Sequence, residues 1–254
     1  MEIALEVENV FFRIGNRIIF QDLSLTLCRG EALLILGASG SGKSLLLKIC
    51  AGLIIPDEGR VALGGVDLNA ASKETLQALR AKIGFVFQNS ALISNMVIFD
   101  NVALPVRYHK GGAEEEVRAR VDEKMALFGV DRAFDLAIPA HLSLEMHKRA
   151  ALARAFMLEP ELLLLDQPTG GLDSEKAESL AGRIRDYQRK AGASLLEVGS
   201  EWPPPGPPAD RVGLLEGGRI VAQGTSGEMD DYIERTRKKA PPSESGDSLK
   251  IPNF

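Results

Sequence analysis

The chain has 254 residues, 45% of them hydrophobic, which is enough to bury a full core as one domain or as one domain carrying an inserted lobe. Lys and Arg number 30 against 35 Asp and Glu, and the formal net charge of -5 removes any global electrostatic case for nucleic acid or an anionic membrane as partner. The opening Met1-Glu2-Ile3-Ala4-Leu5-Glu6 carries acid where a secretory leader carries positive charge, and no run reaches the roughly 18 apolar residues of a membrane span, so a cytosolic location is expected.

Residues 3 to 7 alternate apolar and polar, as do Leu23, Leu25 and Leu27 after a turn at Gly15-Asn16, so the chain is expected to open as half-buried antiparallel strands. Ala32-Leu33-Leu34-Ile35-Leu36 is apolar on both faces, like a central parallel strand, and runs through glycines into a helix at Leu45-Leu46-Leu47-Lys48-Ile49-Cys50. The two cysteines, Cys28 and Cys50, sit in apolar segments without a partner at metal spacing and read as reduced core thiols. From about residue 89 to 158 the pattern is mainly helical: Glu114 to Phe128 places Val117, Val121, Met125 and Phe128 near one face with Gly129 as its stop, and Met146 to Leu158 is a second helix. Strand character returns at Leu162-Leu163-Leu164-Leu165-Asp166, followed by a helix around Glu175 to Lys190 and a strand at Ser194 to Val198. The alternation predicts an α/β core with a helical insertion. Five of the 13 prolines fall between Trp202 and Ala209, which excludes a helix interior there, and the tail from 237 to 254 lacks apolar periodicity and is expected to be disordered.

Gly37-Ala38-Ser39-Gly40-Ser41-Gly42-Lys43-Ser44 matches G-x-x-x-x-G-K-[ST] between a buried strand and a helix, the context that the motif requires. Glycines let backbone N–H groups converge on phosphate oxygens and the helix N-terminus adds its dipole. Lys43 would reach the β- and γ-phosphates of a nucleoside triphosphate and the Ser44 hydroxyl would ligate Mg²⁺. Asp166 closes an apolar strand at its C-terminal edge, where α/β sheets place ligands, and would hold a water on the magnesium. Taken alone, an Asp after a strand is more often a turn or cap, and its pairing with Lys43 and Ser44 is what gives it a functional reading.

Three further segments complete a set: Gln88 after Ile83-Gly84-Phe85-Val86-Phe87, the stretch Leu142-Ser143-Leu144-Glu145-Met146-His147-Lys148-Arg149, and Pro168-Thr169-Gly170-Gly171-Leu172-Asp173. Together they resemble ABC ATPases over about residues 3 to 225, ending in Gly218-Arg219-Ile220-Val221-Ala222-Gln223-Gly224-Thr225. The resemblance implies a P-loop α/β fold with a RecA-like core, an antiparallel β subdomain and a helical subdomain inserted at about 89–158, the whole nucleotide-binding domain occupying 1–236. It also implies ATP and Mg²⁺ as ligands, sandwiched in a head-to-tail dimer with a second copy or another ABC ATPase, and Gln88 touching the metal or the attacking water. Within the family the chain looks like the Mla/MCE-type ATPases of bacterial phospholipid transport. The residues that carry this are Gly15-Asn16-Arg17, Phe87 to Leu92, Phe99-Asp100-Asn101-Val102-Ala103-Leu104-Pro105, and Met146 in the signature's last place. That likeness implies an integral-membrane permease as partner, an MCE-type lipid-binding protein as a further one, no nucleic acid, and a peripheral place on the inner face of the cell membrane. For Phe99 to Leu104 ordinary helical packing is the competing reading.

The chain departs from the family at several site positions. Gln167 stands where a glutamate polarises the attacking water, and losing a positioned general base typically costs about 10²- to 10⁴-fold in rate. Ser200 stands where a switch histidine meets the γ-phosphate. In the signature both glycines are replaced, by Leu144 and Glu145, so Cβ atoms obstruct close approach of its N–H groups to the partner's nucleotide. Ser143 remains as helix cap and phosphate donor, whereas Met146 removes the residue that would complete a capping box. For Glu145 two arrangements are open: a negative charge set beside a polyanion, or a side chain turned to water. Ile14 takes the place of the aromatic ring that stacks on adenine, which forfeits roughly 1 to 3 kcal/mol of stacking and predicts weak base selectivity.

These residues point to a transporter ATP-binding subunit that holds Mg-ATP and hydrolyses it slowly or not at all. The alternatives are a working transport ATPase that uses another base, a non-hydrolytic scaffold, and an ABC protein of iron–sulfur assembly.

Overall fold

The computed structural model describes residues 2–109, 111–202 and 204–239. In chain order the elements are strands β1 (Ile3–Ile14), β2 (Arg17–Cys28) and β3 (Ala32–Leu36), helix α1 (Lys43–Cys50), strands β4 (Glu58–Leu63) and β5 (Val66–Asp67), helix α2 (Lys73–Arg80) and strand β6 (Ile83–Val86). They continue with helices α3 (Ile98–His109), α4 (Glu114–Phe128) and α5 (Leu144–Ala155), strand β7 (Leu162–Asp166), helix α6 (Ser174–Ala191), strands β8 (Ser194–Gly199), β9 (Arg211–Glu216) and β10 (Arg219–Thr225), and helix α7 (Ser226–Lys239). Because α7 extends to Lys239, residues 237–239 of the expected tail are helical, and 240–254 lie outside the described residues. Among the described residues no helix is long and apolar enough to cross a membrane.

Two compact units emerge. The first gathers the described residues of Met1–Leu76, Ser194–Pro204 and Pro208–Phe254. Its antiparallel sheet runs β2-β1-β4-β5, and the alternating burial along β1 and β2 follows the apolar residues read from the sequence, with Leu5, Val7, Leu23, Leu25 and Leu27 facing inward. The two strands are longer than the sequence pattern suggested, because a bulge at several points lets one ribbon bend while it stays paired. In the same unit β3 pairs in parallel with β8 on one side and β9 on the other. All five residues of β3 are buried, as a strand covered on both faces requires. Cys28 is half-buried and Cys50 fully buried, both free, and burial pushes the Cys50 thiol up to about 12, so it stays protonated and unreactive.

The second unit comprises the described residues of Gln77–Ala193 and Pro205–Pro207. Here β6 and β7 pair in parallel, Ile83 opposite Leu162 and Val86 opposite Leu165. Helix α4 has the bounds that its spacing predicts: Val117, Val121, Met125 and Phe128 are buried, and Gly129 caps it in the left-handed region at φ 68°. Its last carbonyls are satisfied from other helices, Phe128 O by Arg149 Nη1 at 2.6 Å and Leu127 O by Arg183 Nη1 at 2.6 Å. Rings of Phe128, Phe156 and Tyr187 stack edge-on in sequence, with centroids 4.8 and 4.5 Å apart.

Gly84 shows how tightly β6 meets the end of α5. A Cβ there would stand 2.8 Å from the Ala155 carbonyl oxygen and 2.9 Å from Pro160 Cγ, and the backbone oxygen cannot retreat without breaking the turn. Gly84→Ala is expected to destabilise the protein by about 2 kcal/mol, the usual cost of overpacking, seen as a lower urea midpoint with an unchanged slope.

Candidate functional site

The candidate residues fall into two sets, one in each unit. In the first unit the phosphate loop leaves buried β3 and enters α1. Gly40 and Gly42 take φ of 80° and 99°, which side chains other than glycine rarely adopt. A Cβ on Gly37 would meet Ser41 Oγ at 2.7 Å and the Leu215 carbonyl at 2.8 Å, and one on Gly42 would meet Ile19 Cγ2 and the Phe20 ring within 2.9 Å. The glycines are therefore dictated by space as well as by backbone conformation. Lys43 is buried and folds back over its own loop, its Nζ donating to Gly37 O at 2.6 Å and Ala38 O at 2.8 Å.

Two features of this loop suit a phosphate. Helix α1 has Gly42 as its N-cap, so no side chain caps its first turn, and the buried Ser41 hydroxyl has no hydrogen-bond partner. Ser44 lies in the first turn of α1, where its hydroxyl would be available to a magnesium ion. Ser200 follows β8 directly, and the Gly37 N–H donates to Gly199 O at 3.2 Å, so the switch position stands beside the start of the loop. Among the described residues no helix directly follows it. Trp202 is instead buried with Leu34, Leu36, Val212, Leu214 and Met229, and its Nε1 donates to Asp230 on α7 at 3.1 Å. Ile14 ends β1 at the hairpin tip and is 54% exposed.

In the second unit Asp166 is buried at the end of β7 and Gln167 turns the chain with φ 47°, a conformation that costs a residue with a Cβ of order 1 kcal/mol or more. Two donors hold its carbonyl there, Lys148 Nζ at 2.9 Å and Gly170 N at 3.1 Å. The Gln167 amide oxygen accepts from Gln88 Nε2 at 3.4 Å, so the base position and the residue after β6 face each other as two neutral amides. Lys148 is itself buried, and burial holds its ammonium below the usual lysine range while the Asp166 carboxylate works in the opposite direction. The chemical consequence is a buried carboxylate next to a group that can hydrogen-bond to a water but cannot take its proton.

The segment after Gln88 is clamped from α5. Ser90 and Ala91 are left-handed at φ 64° and 45°, and Arg154 donates to both carbonyls, at 2.8 Å to Ser90 O and 2.7 Å to Ala91 O. Within the Phe99 to Leu104 stretch, Asn101 is fully buried and bonds to Ile93 N, Ile93 O, Met96 O and Val97 O, fixing the loop that precedes α3. Helical packing and a shaped loop are both served by this stretch.

At the signature, Ser143 caps α5 by accepting from Met146 N at 3.2 Å, so the cap survives without the residue that would complete a box. Glu145 is not turned to water. Its carboxylate lies 2.8 Å from Arg149 one turn along the same helix and 3.8 Å from Lys176 Nζ, which also pairs with Asp173 at 2.7 Å. The charge is thus balanced within the chain. Leu144, half-exposed, lies against Gly171. Sequence reasoning named no role for Lys148, Arg154 or Asn101; basic residues on a helix give no signal of which carbonyl each will reach.

Comparison with known proteins agrees with this geometry. The sequence profile described as ABC transporter matches residues 20–170, more than half of the chain. The intermembrane phospholipid transport system ATP-binding protein MlaF of Escherichia coli (strain K12) is 36% identical over 222 residues, covering 87% of this chain and 82% of its own length. The probable ribonucleotide transport ATP-binding protein mkl of Mycobacterium tuberculosis (strain ATCC 25618 / H37Rv) is 37% identical over 198 residues, and the match spans only 55% of that relative. Among solved structures, a dimeric bacterial ABC transporter cassette superposes with a TM-score of 0.79 at 30% identity, over 87% of this chain and 98% of that one. A post-hydrolysis dimer of an ATP-binding cassette bound to ADP and phosphate superposes with a TM-score of 0.78 at 29% identity, with the same coverage. The chain therefore belongs to the ABC transporter family, as an ATP-binding domain of P-loop α/β fold.

Proposed function

We propose that this domain is the nucleotide-binding subunit of a bacterial lipid transporter, that it holds Mg-ATP, and that it hydrolyses ATP slowly or not at all. The observation that carries the proposal is a contrast along the chain: a phosphate loop whose glycines, Lys43 and Ser44 are all in place, against a neutral amide at position 167. Gly37 to Ser44 would cradle the phosphates, Ser44, Gln88 and a water on Asp166 would hold Mg²⁺, Ile14 would meet the base, and Ser143 would reach the nucleotide of the paired domain. Gln167 and Ser200 fill the places of base and switch without their proton chemistry. The assignment to lipid transport is supported by the match along most of the length of MlaF, whose name states phospholipid transport.

On this reading residues 1–236 form the nucleotide-binding domain with 89–158 as its helical insertion. The domain pairs with a second copy or another ABC ATPase, docks on an integral-membrane permease at the inner face of the membrane, and works with an MCE-type lipid-binding protein. ATP that binds one conformation better than another shifts the population toward it without any bond being broken, which gives a poorly hydrolytic subunit a regulatory use. Calorimetric titration with Mg-ATP, together with phosphate release from the chain assembled with its permease, tests the proposal. Saturable binding with turnover far below that of active cassettes is expected; turnover at their ordinary rates would overturn the hydrolytic part.

A further inference from the structure

The tip of the β1–β2 hairpin carries an exposed arginine that nothing in the site so far uses. The register opposes Phe12 to Phe20, Arg13 to Ile18 and Ile14 to Arg17. The extra residue of the bulge, Ile19, lies on β2, so β1 is regular from Phe12 to Ile14 and these two project on one face, with their cross-strand partners Phe20 and Arg17 beside them. The Phe20 ring comes within 2.9 Å of the position that a Cβ on Gly42 would occupy, which turns that face toward the last glycine of the phosphate loop. Ile14 and Arg17 form the next pair on that face, two residue pairs further out and about 7 Å along the strands. Gly15, at φ 58° in the first central position of the two-residue turn, has the positive φ that a type II′ hairpin needs there, so the tip is a defined turn. Both residues are exposed, and the Arg17 guanidinium forms no ion pair among the described residues.

We infer that the Arg17 guanidinium, lying beside Ile14, is the platform on which the nucleoside base stacks. A guanidinium is planar and weakly hydrated, and it stacks on aromatic faces where an ammonium does not. Every base presents a π-face, so stacking of this kind attracts the base without reading its edge. Ile14 covers the apolar side of the same pocket. The inference rests on the proposed nucleotide reading of Gly37 to Ser44 and deepens it by naming how the base is held, by stacking, so that adenine and guanine triphosphates are accepted without choice between them.

The test titrates the full chain, wild type and Arg17→Ala and Arg17→Lys, with Mg-ATP, Mg-GTP and magnesium tripolyphosphate. ATP and GTP are expected to bind the wild type within about threefold of each other. Arg17→Ala is expected to weaken both about tenfold, within the range known for base stacking, while tripolyphosphate changes less than about twofold. Arg17→Lys keeps the charge but not the plane and is expected to match the alanine variant. Equal losses for tripolyphosphate and ATP would make Arg17 a phosphate contact and overturn the inference, as would full ATP affinity in either variant. A wild type that binds tripolyphosphate as well as it binds ATP also overturns it and leaves the phosphate loop standing. A wild type that binds none of the three overturns the nucleotide reading itself. An unchanged melting temperature in both variants, expected at an exposed hairpin tip, shows that affinity alone is being read.

Discussion

Gln167→Glu is expected to raise steady-state ATP turnover by about two orders of magnitude, measured as phosphate release at saturating Mg-ATP with the chain in its transporter complex. The position is already set for a base. Its backbone is held in the left-handed region by Lys148 and Gly170, and its side chain meets the Gln88 amide, which can donate to a carboxylate as readily as to an amide oxygen. Glutamate is close to isosteric, so the packing is kept and only the ability to accept a proton is added. Lys148, buried beside Asp166, offsets part of the repulsion between the new carboxylate and the aspartate. A positioned general base contributes about 10²- to 10⁴-fold, and the low end applies because Ser200 and the Leu144-Glu145 signature stay as they are. Adding Ser200→His is expected to give a further gain larger than its effect alone, since groups that act on one transition state are not additive. No rise in the single or the double variant would mean that position 167 does not limit this site.

Lys43→Met is expected to weaken Mg-ATP binding by about 10²-fold while moving the melting temperature by only a few degrees. Lys43 Nζ rests on the carbonyls of Gly37 and Ala38. Bound phosphate would draw the ammonium away from two neutral acceptors onto a charged one, and a hydrogen bond to a charged group is worth about 1.5–3 kcal/mol net. Methionine is unbranched, of similar length, and fills the buried channel that the lysine stem occupies, so binding loses the charge without a cavity being opened. Undiminished affinity by calorimetry would show that nucleotide is held elsewhere than on Gly37 to Ser44. Read together, the two variants separate the halves of the proposal, because one acts on holding ATP and the other on cleaving it.

How much was legible before the structure depended on how far apart the determining residues lie. Helix α4 could be read with its bounds because four apolar residues at helical spacing and a stopping glycine are all contained within its own sixteen-residue stretch from 114 to 129. Strand β3 and the phosphate loop were equally plain, since the loop's geometry is made by consecutive residues. Helix α2, in contrast, is short and buries none of its residues, so its two leucines, Leu76 and Leu79, mark no core face, and α7 is more polar still. The short strands β5 and β9 gained definition only from the neighbours they pair with.

The sequence by itself determined that this chain binds phosphate through Gly37 to Ser44 if it binds it at all, that no carboxylate follows Asp166, and that the signature has lost its glycines. Each of those statements is local: residue identity over a few positions decides what chemistry is possible. Only the tertiary structure decided what the substituted residues do. Glu145 could have faced a ligand or water, and it is neutralised by Arg149 and Lys176. Lys148 reaches Gln167 across 19 residues, and Arg154 reaches Ser90 across 64, because packing brings α5 against those segments and a buried carbonyl takes whichever donor arrives. Arg17 shares a face of the hairpin tip with Ile14 because the bulge lies on β2 and leaves β1 regular there. Long side chains choose partners by topology, and topology is a property of the whole chain.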